Sequence, residues 1–418
     1  MTATFEGWLR RFSTRQWAVV LALLLAVFVG RELLTIDDTV PDFVATLTGV
    51  EMVADGAGAD LYDLDLQAEY QADIDSRMTD FGALLPFVNP AFYLVPFLPL
   101  AGAGPDVARG IVIVITAAFT VWWAVFAHRR LPPTGLALAV FVPAALLFQP
   151  LLENTFQPQN GVFSLWFLTL GYVSLADGRD RTAGLWLGLL VFKPQLALPF
   201  LLLILVKRRW GAVQGAMVSG IAAALVSIGL TGFSGARDYV ELILGDELDA
   251  PNRGVAVEAM QNWRAFFRVA VGDGTAATAL TVLVSLLLVG LLVVVWRGDW
   301  DVRHPRFSLQ WASTVAVALS ISPHLHRHDL TVLLLTMVLL LGARNTYDWP
   351  SGALAAAGIA AGYVLAIGAD NATDRLSIVI MPSYMTTLAV VAAWMLRASQ
   401  HHSRAPVDGD VASYRDDS

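Results

Sequence analysis

Lys193 interrupts the apolar run Leu185–Val206 and is followed at once by Pro194. A lysine at hydrocarbon depth costs about 2.5–3.5 kcal/mol on insertion scales unless it meets water or an anion. Between two helix ends it suits a phosphate; otherwise it snorkels to an interface. A second dense group is Ser322-Pro323-His324-Leu325-His326-Arg327-His328-Asp329, with three imidazoles, a guanidinium and a carboxylate between two apolar runs. His326 and His328 share a face of an extended segment and suggest zinc, but Arg327 repels a cation. Phosphate contact or hydrogen bonding to a substrate suits the group better, and a plain polar loop remains the alternative.

Further polar groups follow the same pattern. Asp42, in Asp37-Asp38-Thr39-Val40-Pro41-Asp42-Phe43, lies just past the first apolar run. There a carboxylate either solvates a loop or takes the proton of an attacking hydroxyl. Gln157-Pro158-Gln159-Asn160-Gly161 offers Gln159 and Asn160 to sugar hydroxyls or to the start of the next helix. Met260-Gln261-Asn262-Trp263-Arg264 with Phe266–Phe267 gives an aromatic and cationic surface for lipid headgroups or a sugar ring.

The elements that must position these groups are membrane helices. Apolar residues make up 56% of 418 positions, charged residues 15%, and the mean hydropathy is +0.61; a soluble domain is excluded. Runs long enough to cross about 30 Å of hydrocarbon include Trp17–Leu34, Ile111–Phe126, Gly211–Leu230, Leu280–Trp296, Leu354–Ala369 and Ile378–Leu396. The first run lacks a small-residue cleavage site and is expected to remain as a span. Asp37 to Asp80 holds twelve carboxylates against Arg77 alone, and no basic patch suits nucleic acid. Without cysteine there are no disulfides, thiolate metal sites or cysteine nucleophiles. No cofactor or divalent ion is demanded.

Arg and Lys set the sidedness. Arg10, Arg11 and Arg15 place the N-terminus in the cytoplasm and the acidic segment outside. Arg129–Arg130, Arg179 with Arg181, Lys207–Arg209, Arg297, Arg303, Arg306, Arg344 and the tail then belong inside. Two amendments reconcile them. Pro86–Ala101, with four prolines, lies on the outer face without crossing. Leu185–Val206, flanked by basic residues at both ends, is a hairpin of two short helices with Lys193 at its tip. The exterior then holds 37–85, 153–160, Lys193, 232–275, 324–329 and 370–375. Residues 1–396 form one transmembrane domain, with extracytoplasmic loops at 35–105 and 232–275. Residues 397–418 read as a disordered cytoplasmic tail.

Taken together, these stretches resemble glycosyltransferase family 87, the polyprenol-phosphate-dependent mannosyltransferase-like enzymes of the GT-C class. An aspartate in a D-F context, here Asp42-Phe43, precedes a G-x-x-L-Y-D stretch, here Gly58-Ala59-Asp60-Leu61-Tyr62-Asp63. The Y-P-P-like element appears as Val88-Asn89-Pro90-Ala91-Phe92, with Asn for Tyr and a single Pro. A G-Q-x-N-like motif corresponds to Gln159-Asn160-Gly161. The A-G-x-x-L-G-L…K-P pattern is Ala183-Gly184-Leu185-Trp186-Leu187-Gly188-Leu189 with Lys193-Pro194, and an S-P motif with downstream His or Tyr-Asp resembles Ser322-Pro323 through His328-Asp329-Leu330.

The resemblance implies an all-α polytopic GT-C fold with outer juxtamembrane helices and about ten to twelve membrane helices, each needing roughly 20 apolar residues. It implies a cell-membrane glycosyltransferase, termini cytoplasmic and active site extracytoplasmic. That enzyme would move a mannose-like sugar from a polyprenyl-phosphate donor to a glycan or glycolipid acceptor. By position Asp42 is the base, and Lys193, His326 and His328 hold the donor phosphate. Tyr62, Asp63, Asn89, Gln159, Asn160, Trp263, Arg264, His324 and Asp329 contact substrate. The competing expectation is a transporter or flippase, since intramembrane lysines and broken helices also build transport sites.

Overall fold

The computed structural model describes residues 13–35, 43–75, 78, 84–245, 260–344 and 374–402. These residues are helical or irregular, with no strand among them. The helices are α1 (Thr14–Thr35), α2 (Phe43–Ala54), α3 (Leu64–Ile74), α4 (Pro105–Arg130), α5 (Leu138–Leu146), α6 (Gln149–Phe156), α7 (Gly161–Ala176) and α8 (Asp180–Leu189). They continue as α9 (Pro194–Val206), α10 (Trp210–Leu244), α11 (Trp263–Val271), α12 (Thr275–Val295), α13 (Arg306–Ile321), α14 (Leu333–Arg344) and α15 (Asp374–His402).

Among the described residues α1, α4, α10 and α12 are long and apolar enough to cross a bilayer, and α5 with α6, bent by 64°, would make a fifth. These four coincide with the first four long apolar runs of the sequence. Leu354–Ala369 lies outside the described residues, and the last run belongs to α15, which extends past Leu396 to His402. The long helices leave large apolar side chains uncovered, such as Leu23 (63% exposed), Val114 (69%), Leu225 (64%) and Leu287 (65%). Water would not tolerate that much bare apolar surface; lipid does. The chain is an all-α polytopic membrane protein.

The core is the shorter helices. α7 is apolar nearly all round, α13 carries more polar side chains, and both are buried over most of their length, as expected of helices surrounded by other helices. Their few polar groups pair internally: Tyr172 and Ser308 hydroxyls bond at 2.7 Å, and Trp123 and Trp296 indoles donate to Thr169 and Thr314 at 2.9 Å. Trp311 fills the centre against Phe200, ring centroids 4.8 Å apart.

The proline-rich stretch does not cross. Pro90 and its neighbours form two short 3₁₀ turns, Ala91–Leu94 and Leu98–Leu100, packed on α2. α3 is fixed to the segment 85–87 by two glutamines: Gln67 accepts from Phe87 N–H at 2.7 Å, and Gln71 donates to the Leu85 carbonyl at 2.6 Å. At Gly232, where the second outer loop is expected to begin, the helix kinks. Gly232 has φ +69°, which a side chain would strain, and the helix resumes to Leu244.

α8 and α9 form the hairpin. α8 is followed by a 3₁₀ turn (Leu190–Phe192) and by Lys193 in a non-helical conformation (φ −124°, ψ 76°), where Pro194 opens α9. The two outer ends return to one place, because Arg209 bonds Asp180 at 2.5 Å. α8 then lies parallel to α10 with glycines at the seam. A Cβ on Gly184 would sit 1.9 Å from the Ala212 carbonyl, and one on Gly215 2.1 Å from that of Arg181. Such small-residue seams let membrane helices approach backbone to backbone.

Candidate active site

The polar groups separate to the two ends of the bundle. α7 runs from Asn160 to Asp177, α9 from Lys193 to Lys207, and α13 from Arg306 to Ser322. At roughly 1.5 Å per residue these helices hold the two sets on the order of 20 Å apart. One end gathers the basic segments: Arg130 and Arg179 both bond Asp177, at 2.7 and 2.8 Å, and Arg209 stacks over Trp300. Lys207 donates to the carbonyls of Trp296 and Gly298.

The other end holds the candidate site. Lys193 and Asp329, 136 positions apart, form a buried ion pair, each residue 8% exposed. The same carboxylate lies 3.5 Å from the His328 ring and accepts the His326 backbone N–H at 2.9 Å, capping the 3₁₀ turn Arg327–Val332. The His326 and His328 rings stack with centroids 5.8 Å apart. Burial raises the Asp329 pKa, but the Lys193 ammonium, helped by His328 and His326, outweighs it and keeps the group below the usual carboxylate range. Asp329 is therefore the anion around which the cationic groups are arranged.

Beside it lies an amide chain. The His328 carbonyl receives a 3.4 Å hydrogen bond from Asn154, whose other amide atom caps α7 by accepting the Val162 N–H at 3.2 Å. Asn160 makes no capping bond; its amide donates to the Asn89 side chain at 3.1 Å. Of the two roles open to Asn160 in the sequence, the cap thus falls to Asn154. Gly161 is required between them, since a Cβ there would meet Asn154 at 2.4 Å and the His328 carbonyl at 2.7 Å. Tyr62 donates to the Asn89 carbonyl at 3.0 Å. Burial, with Tyr239 alongside, raises its phenol well above the usual value, so it stays a donor. Aromatic rings back this corner: Tyr93 packs on Phe163 and on Phe192, the neighbour of Lys193.

Asp63 has a different setting. Its carboxylate caps α3, accepting from Asp65 and Leu66 N–H at 2.9 and 3.1 Å. It borders a hollow of about 330 Å³ lined also by Asp60, Asp65, Asp238 and Glu241. Asp42 lies outside the described residues; its neighbour Phe43 begins α2 and packs edge-on to Phe97.

The 260–264 segment braces the histidine loop. Gln261 N–H donates to the Leu325 carbonyl at 2.7 Å, and Arg264 reaches that of Pro323 at 3.5 Å. Trp263 donates to Thr386 of α15 at 3.0 Å, and the His324 carbonyl accepts the Ser322 hydroxyl at 2.6 Å. Gln159 is half-buried at the α6–α7 turn, its N–H on the Asn154 carbonyl. Sequence reasoning passed over Asn262, which is fully buried, binds the Ser322 and Pro323 carbonyls at 2.9 and 3.2 Å, and caps α11 through Ala265 N–H. Its place directly before an amphipathic run was the available signal. Asn262→Ala should cost about 2–3 kcal/mol by losing the cap and orphaning two carbonyls, measurable as a lower melting temperature.

Among the described residues, a helical membrane bundle holds a buried Lys193–Asp329 pair with amides and imidazoles gathered around it at one end. The family model of glycosyltransferase family 87 matches residues 87–323, more than half of the chain. The chain belongs to glycosyltransferase family 87 and is a membrane glycosyltransferase. No curated protein and no solved structure matches it. The matched stretch includes Asn89, Asn160, Lys193 and Trp263–Arg264, and ends at the loop carrying His324–Asp329.

Proposed function

We propose that the protein transfers a mannose-like monosaccharide from a polyprenyl-phosphate donor to a lipid-linked or cell-envelope acceptor, on the extracytoplasmic face of the cell membrane, within a GT-C fold. The observation that carries this reading is the meeting of Lys193, His328 and the Asn89–Asn160 amides at the end of the bundle opposite the basic segments. A polyprenyl phosphate is both anchor and leaving group. As the acceptor oxygen attacks the anomeric carbon, the bond from that carbon to the phosphate oxygen breaks. The electron pair stays on the phosphate, and cations fixed there stabilise the charge. The acceptor hydroxyl gives its proton to Asp42 as base. Direct displacement inverts the anomeric centre.

Asp42→Asn should lower transfer from a polyprenyl-phosphate mannose donor by a factor of about 10²–10⁴ in purified protein, with donor binding retained. Wild-type turnover in that variant would remove the base assignment. The chain has no cysteine, so single cysteines at the exposed positions Glu69 and Arg208 report sidedness cleanly. An impermeant thiol reagent outside intact cells should label the first and spare the second; labelling of both, or of Arg208→Cys alone, would overturn the orientation.

A further inference from the structure

The buried pair leaves the site short of positive charge. Lys193 is neutralised by Asp329, and Arg327 and Arg264 already have partners of their own. Of the helices packed on the 327–332 turn, α6 brings Glu153, another acid, and α7 brings only Tyr172, three turns away and bonded to Ser308. α13 carries its charge, Arg306, at the far end, and α14 has no titratable residue from Leu333 to Ala343. Nearest the carboxylate after Lys193 are the two imidazoles, His328 at 3.5 Å with His326 stacked on it, ring centroids 5.8 Å apart; Arg109 is spent on the Phe156 carbonyl at 3.3 Å. Imidazole is the side chain that exchanges protons near neutral pH.

We propose that Asp329 is a positioning residue that makes donor binding proton-linked: it consumes the charge of Lys193 and orients His328, so that a phosphodiester is bound as one proton is taken up on His328. The inference rests on the proposed polyprenyl-phosphate donor. The carboxylate occupies the place that suits an anion, held by the same ammonium, ring and backbone N–H that would serve a phosphate. An arriving phosphodiester adds a second negative charge, and protonation of His328 restores the balance. After transfer the phosphate carries one more negative charge, and the same imidazolium stands beside it.

The probe is a short-chain polyprenyl methyl phosphodiester, which keeps a single charge across this pH range. Its binding to the full chain in detergent is followed by calorimetry between pH 6 and 8, in two buffers of different ionisation enthalpy. Uptake of about one proton is expected at neutral pH, with affinity falling toward about tenfold per pH unit above the imidazole titration. In Asp329→Asn, Lys193 is free for the phosphate, so the pH dependence should flatten to under about twofold and affinity at pH 8 should exceed that of the wild type. His328→Gln should also lose proton uptake while binding weakly.

Binding without proton uptake in the wild type overturns the proposal and leaves the donor assignment standing. Equal uptake in wild type and His328→Gln, or an unchanged pH slope in Asp329→Asn, overturns it as well. Should Asp329→Asn fail to fold, the wild-type and His328→Gln measurements decide. Absence of binding at every pH refutes the donor assignment itself, and the linkage with it.

Discussion

Gly184→Leu is expected to abolish accumulation of folded protein. The Cβ alone would lie 1.9 Å from the Ala212 carbonyl oxygen and 2.8 Å from the Ala216 nitrogen, both backbone atoms that cannot swing aside. Gly188 faces the same helix, with Ser219 Oγ at 2.1 Å. Over-packing in a core costs about 1–3 kcal/mol when side chains absorb it; here α8 and α10 must separate, and the loss should exceed about 4 kcal/mol. Separation would also move Lys193 away from Asp329, because α8 leads straight to the hairpin tip. Gly290→Ala, on α12 with nothing within 4 Å of the added atom, is the control and should melt like the wild type. The measurement is the yield of monodisperse protein and its melting temperature. A Gly184→Leu variant as stable as the wild type would disprove the close seam.

Removing one partner of the buried pair should be nearly as damaging. Lys193→Ala leaves the Asp329 carboxylate buried without its cation, and breaking such pairs costs about 3–5 kcal/mol. The double variant Lys193→Met/Asp329→Leu replaces both charges by apolar groups and should be more stable than Lys193→Ala, while failing to bind donor. A double variant no better than the single one would mean that the pair is not a closed unit. The pH sign follows from the depressed Asp329 pKa. The stability it supplies is present in full above the ordinary carboxylate value near 4 and is lost only as pH falls through the depressed value. Melting temperature should therefore not drop between pH 7 and 5 on account of this pair.

How much of this was legible in the sequence differs by element. The four long spans were visible because lipid-facing helices are apolar on every side, a signal that needs no tertiary knowledge. The hairpin was legible from charge: basic residues flank Leu185–Val206 at both ends, and a single crossing would have put one set on the wrong side. The density of prolines in Pro86–Ala101 ruled out a span in the same way. The short buried helices were harder. α7, α8, α9 and α13 are 10 to 16 residues long, below the length at which hydropathy alone marks a crossing.

Within the site, composition pointed to Lys193 and the histidine loop but not to their pairing. The Lys193–Asp329 bond joins residues 136 positions apart, and sequence spacing carries no trace of such contacts. The motif marked Asp63 as a substrate group; the structure adds that its carboxylate caps α3, a role its place just before a helix made legible. Gly184 and Gly188 stood in the most specific family pattern; their physical reason, contact with the α10 backbone, became visible only once that helix lay beside them.

The pair also has an order of synthesis. Lys193 leaves the ribosome 136 residues before Asp329, on the order of ten seconds at ordinary translation rates. Throughout that interval the ammonium has no carboxylate to meet. The nascent hairpin must wait at the headgroup layer, with its lysine in water, and settle to its final depth only after the C-terminal third of the chain has emerged. A chain truncated before Asp329 should keep α1, α4 and α10 inserted while leaving the tip of the hairpin open to aqueous reagents.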